Sequence, residues 1–104
     1  MRYANDDGMI ESIQHKGLKL LWTKGDQSKL PATMIPKILR ILTIIDALEI
    51  VPGDLQDLPF LRPHPLKGDL SEFWAMDVSG NWRIIFRFDN VSRNAYDLNF
   101  IDYH

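Results

Sequence analysis

Alternation of side-chain character over residues 73–101 constrains the fold more than any other feature of this chain. Trp82, Ile84, Phe86 and Phe88 share one parity, and Arg83, Ile85 and Arg87 the other. That is the two-residue period of a strand whose faces meet different surroundings. A run over 73–78 precedes it and ends at Ser79-Gly80, a two-residue hairpin signal. After a turn over 90–94, Tyr96, Leu98 and Phe100 alternate with Asp97, Asn99 and Ile101. Three strands joined by two hairpins make an antiparallel meander. One face is aromatic and aliphatic and has to be covered. The other carries Arg83, Arg87, Asp97 and Asn99.

The cover lies upstream. Met34, Ile38, Ile41, Ile45 and Leu48 step by four and three, and Ile35, Leu39 and Leu42 widen the stripe. This predicts a helix over 34–48 with a face broad enough to pack on a sheet. Pro36 has to fall in its first turn, where a missing N–H breaks no helical bond. A shorter helix is expected from His15, with Leu18, Leu21 and Trp22 on one face and Gly25 as its left-handed stop. Residues 10–13 alternate and read as a short strand. Residues 52–72, with Pro52, Pro59, Pro63, Pro65, Gly53 and Gly68, read as a long connection containing a short helix near residues 54–58. The fold class is therefore α+β, in the order β-α-α-β-β-β, with two N-terminal helices on one face of a small, mainly antiparallel sheet.

At 104 residues the chain is one domain, and its 45% hydrophobic content is enough for a single core. The polar residues 1–8 read as a disordered extension, with Met9 as an alternative start and the domain spanning 9–104. Cysteine is absent, which excludes a disulfide framework, a thiolate nucleophile and a cysteine zinc site. No apolar run is long enough for a membrane span, and a cytoplasmic location is expected. Net charge is −2, yet residues 15–45 carry Lys16, Lys19, Lys24, Lys29, Lys37 and Arg40 against the one acid Asp26. This basic helical half is either a docking face for a polyanion or a solvated lysine surface.

The polar sheet face is the chemical anomaly. Arg83 and Arg87 project from one side of one strand. Upstream lies His64-Pro65-Leu66-Lys67-Gly68, and the chain ends in Asp102-Tyr103-His104. Two histidines with Lys67 and Arg83 are the ingredients of phosphodiester cleavage. One group takes the proton of an attacking hydroxyl, cations hold the pentacoordinate phosphorus, and another group protonates the leaving oxygen. Each residue also has a plainer reading. His64 can be a loop residue and Lys67 a turn lysine. Arg83 and Arg87 can be cross-strand partners of Asp97 and Asp77. Trp22 and Trp82 belong to the core faces, so Tyr103 is the better candidate for stacking on a base. His15 reads as helix-start structure. No ligand spacing supports a metal site.

Three segments together resemble the HigB-type toxins of the RelE superfamily, the plasmid-maintenance killer proteins. They are the opening residues 9–18, the run His64-Pro65-Leu66-Lys67-Gly68, and Asn81-Trp82-Arg83-Ile84 with the terminal Asp102-Tyr103-His104. The resemblance covers 9–104. It implies a ribosome-dependent mRNA endoribonuclease that cleaves in the ribosomal A site through the message's own 2′-hydroxyl, with no metal or other cofactor. It also implies a cognate helix-turn-helix (HigA-like) antitoxin as partner, with operator DNA reached only through that antitoxin. Carried onto this chain, the catalytic residues are His64, Lys67, Arg83, Asp102 and His104. Arg87 and Tyr103 contact RNA, and Lys16, Lys19, Lys24 and Lys37 face the ribosome. Where some relatives carry a further arginine before Asn-Trp-Arg, this chain has Ser79 and Gly80, and Arg87 is the expected substitute. The alternative is a non-catalytic antitoxin- or RNA-binding module on the same fold. The intact set of His64, Lys67, Arg83 and His104 favours the enzyme.

Overall fold

A computed structural model describes residues 9–103. The expectations for residues 1–8 and for His104 lie outside the described residues.

Helix α1 spans Lys16–Lys24. His15 starts it, its ring Nδ1 accepting the Leu18 N–H at 3.2 Å. Gly25, at φ 71°, ends it in the left-handed conformation that glycine takes without a Cβ penalty. The Gly25 and Asp26 N–H groups then reach back to the Leu21 and Leu20 carbonyls. Helix α2 spans Ile35–Asp46, entered through a 3-10 turn at Ala32–Met34, with Pro36 in its first turn as expected. Its buried stripe is Ile38, Ile41, Leu42 and Ile45. The connection over 52–72 folds into 3-10 turns at Gly53–Asp57, Pro59–Leu61 and Gly68–Leu70.

The sheet is four-stranded and antiparallel, in the order β1-β2-β3-β4. Its strands are β1 (His64–Pro65), β2 (Trp74–Ser79), β3 (Trp82–Asp89) and β4 (Asn94–Asp102). The β2–β3 turn places Gly80 at φ 56°. Both helices lie against one face, where Leu18, Ile38 and Ile41 meet Met76, Ile84 and Phe86. The expected architecture is thus borne out, with the minimal strand at His64 as an addition.

Three details differ from the sequence reading. Residues 9–14 run beside the outer edge of β4 and meet it in two isolated parallel bridges, at Ile10–Ala95 and Ile13–Leu98, with no continuous ladder. The reason is Asp97, whose backbone turns to φ 56° between the two bridging residues and interrupts that edge. The same irregularity shifts the β3–β4 register between the Ile85–Asn99 and Arg87–Tyr96 pairs. A bulged residue inverts the alternation beyond it. Tyr96, expected on the core face with Leu98 and Phe100, therefore lies on the face of Arg87. Thirdly, the face away from the helices is not wholly polar. Leu66, Ala75 and Ile85 form a second small apolar cluster there, flanked by Leu70, Phe73 and Ile101.

Candidate active site

The strand register assembles the site from three elements. His64, Ala75, Ile85 and Asn99 form one row across the sheet, and Asp77, Arg83 and Ile101 form the neighbouring row. Side chains in both rows share the face opposite the helices. The sequence-predicted His64 and Arg83 are thus brought onto one surface.

Arg83 is held from two sides. Its Nε lies 2.8 Å from Asp77 Oδ1, directly across in the β2–β3 register, whereas the sequence reading set Asp97 against it. Its Nη1 donates to the Gly80 carbonyl at 2.7 Å and to the Trp82 carbonyl at 3.1 Å. Both the Arg83 and Asp77 side chains are mostly buried, so this pair is screened less than a surface pair. What remains for a ligand is the Nη2 end of the guanidinium, because Nε, although it makes no hydrogen bond among the described residues, is buried against the Asp77 carboxylate.

His64 Nδ1 lies 2.7 Å from the Arg62 carbonyl oxygen. A carbonyl only accepts, so Nδ1 carries the hydrogen and the neutral ring keeps its lone pair on Nε2. That is the tautomer a proton acceptor needs. Pro63 and Pro65 flank the ring, and β1 pairing fixes its backbone. Lys67 follows, exposed, at the entrance of the Gly68–Leu70 turn.

Arg87 is engaged more heavily than the sequence suggests. It pairs with Glu72 and with Asp97, the latter at 3.2 Å, and its guanidinium lies over the rings of Tyr96 (4.9 Å) and Phe73 (5.8 Å). The anions around it hold its proton more firmly than usual, against the opposing effect of burial. This arginine welds β3, β4 and the loop before β2 together.

The terminal segment lies at the same end of the sheet as the β2–β3 turn. Asp102 pairs with Trp82, and the Tyr103 N–H donates to the Asn81 carbonyl at 2.8 Å. Tyr103 is exposed, as a stacking residue has to be. Trp82 and Trp22 take the core roles expected of them, Trp82 stacked on Phe100 at 4.6 Å and Trp22 packed against the main core, where Trp74 joins them. Lys16, Lys19 and Lys24 are exposed on α1, whereas Lys37 on α2 is half-buried. Among the described residues none of these four lysines forms an ion pair, and no group of three or more histidine or acidic side chains converges to hold a metal ion.

Sequence reasoning missed Arg62. Its Nε lies 3.4 Å from Asp77 Oδ2, on the carboxylate whose other oxygen holds Arg83. The signal was present, because Arg62 stands two residues before His64. A lone arginine in a proline-rich loop gave no reason to place it against β2.

Comparison with known proteins identifies the family. Residues 11–104 match the family described as RelE-like toxin of type II toxin-antitoxin system HigB. The chain is 46% identical over 97 residues to the Endoribonuclease HigB of Proteus vulgaris, covering 92% of this chain and all of that protein. Among solved structures, a YoeB/ParE toxin from Agrobacterium tumefaciens superposes with a TM-score of 0.53 at 16% identity, covering 89% of this chain and 98% of that one. That likeness is one of fold. No helix among the described residues is long and apolar enough to cross a membrane. On the family match, and on identity along the whole length of a curated relative, the chain belongs to the HigB family of RelE-like toxins of type II toxin–antitoxin systems.

Proposed function

We propose that this protein is a ribosome-dependent endoribonuclease, the toxin of a type II pair, which cleaves mRNA in the ribosomal A site. The observation that carries the reading is the 46% identity to an endoribonuclease over that protein's full length, and His64 and Arg83 lie on one sheet face. Membership of a toxin–antitoxin family implies a cognate antitoxin as partner. We assign it the helix-turn-helix type, with operator DNA bound only through it.

In this reading the 2′-hydroxyl of the message attacks the adjacent phosphorus, forming a 2′,3′-cyclic phosphate and releasing the 5′-oxygen of the next nucleotide. His64, with its lone pair on Nε2, takes the hydroxyl proton. Arg83 and Lys67 stabilise the charge that builds on the non-bridging oxygens. His104, with Asp102 beside it in sequence, returns a proton to the leaving oxygen, and Tyr103 stacks on a base. No cofactor enters the scheme.

The test is single-turnover cleavage of a defined mRNA on programmed ribosomes. His64→Ala and a chain lacking His104 are expected to cleave about 10²–10⁴-fold more slowly with unchanged melting curves. A cyclic phosphate terminus is expected on the upstream fragment. Absence of cleavage by the unaltered chain, or a linear 3′-phosphate formed at once, overturns the mechanism.

A further inference from the structure

We infer that Arg62 is a second phosphate-binding residue of the site, acting beside Arg83, and that Asp77 positions the pair. The inference rests on the endoribonuclease reading and extends it to a residue that the sequence motifs do not include.

Arg83 cannot present a full guanidinium fork. Nη1 donates to two backbone carbonyls, and Nε is buried against the Asp77 carboxylate without completing a hydrogen bond to it. A phosphodiester in the reacting state spreads negative charge over its non-bridging oxygens, and one remaining guanidinium edge leaves much of that charge unmatched. Arg87, the other arginine on this face, is occupied by Glu72, Asp97 and two aromatic rings.

Arg62 has what these two lack. Its side chain is 78% exposed, and its contact to Asp77 is the looser of the two, at 3.4 Å against 2.8 Å for Arg83. At that distance, with its guanidinium mostly in solvent, Arg62 is loosely held and free to turn to another anion. Because one carboxylate touches both guanidinium groups, a phosphate approaching that edge meets Arg62 and Arg83 together.

The backbone supports the same placement. Arg62 sits at φ 50°, ψ 51°, a left-handed conformation seldom taken by a residue with a long side chain. Such outliers persist where the surroundings over-determine them. Here the turn ends the Pro59–Leu61 3-10 helix and sets the chain into β1. The Arg62 carbonyl simultaneously fixes the ring of His64 through the 2.7 Å contact to Nδ1. One residue thus orients the proton acceptor with its backbone and the phosphate with its side chain.

Asp77 is a positioning residue. It lies directly across from Arg83 in the β2–β3 register and prevents two adjacent cations from repelling each other before RNA arrives.

The experiment measures single-turnover cleavage of one mRNA on programmed ribosomes at several toxin concentrations, for the unaltered chain, Arg62→Gln and Arg62→Lys, with a melting curve for each. Arg62→Gln is expected to lower the maximal rate about 10- to 100-fold without changing the melting temperature. Arg62→Lys, which keeps the charge and loses the fork, is expected to recover part of that loss. A residue serving only the loop would show the opposite pattern, with shifted melting and no difference between lysine and glutamine. Equal cleavage by the unaltered chain and Arg62→Gln overturns the role of Arg62 and leaves the endoribonuclease reading standing. No cleavage by the unaltered chain overturns both.

Discussion

Trp82 lies nearly parallel to Phe100, at an interplanar angle of 18°, on the core face of β3, one residue before Arg83. Truncation to alanine removes that stack and opens a cavity under the strand that carries the phosphate-binding arginine. Trp82→Ala is expected to cost about 3 kcal/mol, the lower end for such truncations because the indole is only partly buried. Denaturant unfolding measures it, and normal stability with lost cleavage would instead make the tryptophan an RNA contact. His15 gives a second prediction at this scale. Its Nδ1 accepts the Leu18 N–H, its ring meets Phe100 edge-on at 5.6 Å, and burial lowers its pKa below the ordinary value near 6.5. Protonation therefore opposes folding. The stabilisation is fully present above about pH 6.5 and is lost as pH falls below it, because the unfolded chain then binds the proton more readily. The unfolding midpoint of the unaltered chain is expected to fall below pH 6.5 more steeply than that of His15→Asn, which caps without titrating. Parallel profiles would exclude the effect. His15 as helix-start structure was legible from its place before a periodic stripe. Arg62 was not, because its partner is 15 positions away on a strand that only the fold brings near.

Strand β4 shows how one residue resets an element. Asp97 takes φ 56°, its N–H donates to Ser12 Oγ at 2.8 Å, and its carboxylate pairs with Arg87 at 3.2 Å. The turn at Asp97 sends Tyr96 to the arginine face while Leu98 and Phe100 stay in the core. Strict alternation could not anticipate this, since a bulge has no period. The signal available was an aspartate, a type that tolerates the left-handed region, in the middle of the strand. Asp97→Ala is expected to destabilise the fold by about 1–3 kcal/mol, from the strained backbone and the loss of one of the two ion pairs of Arg87 together. Asp97→Asn keeps the backbone preference and should lose less. Equal losses in the two variants would show that the bulge relaxes. The helices and the β2–β3 hairpin were legible throughout, because capping, the wide stripe and the glycine turn all act locally. The strand at His64 was not, because two residues carry no periodicity.

Charge is divided at the scale of the whole molecule. Residues 15–45 carry a net +5 on a chain whose total is −2, and these residues form α1, α2 and the loop between them. The site face lies on the other side of the sheet, built by β1, β2 and β3, so helices and site form two separate surfaces. Lys16 and Lys19, one turn apart on α1, are exposed and unpaired among the described residues. Lys24 sits in the last turn of α1, where a cation also complements the helix dipole. It is therefore a weaker probe of docking than the other two, as is the half-buried Lys37. If the helical surface docks on ribosomal RNA, each lysine that displaces a counterion contributes close to one unit to the slope of log affinity against log salt. The Lys16→Glu/Lys19→Glu double variant is then expected to bind ribosomes more weakly at low salt, with a slope shallower by about two, while its melting temperature is unchanged. Ribosome co-sedimentation across a salt series measures both quantities. An unchanged affinity and slope would make the basic helices a solvated surface and leave recognition to the face that carries His64, Lys67 and Arg83.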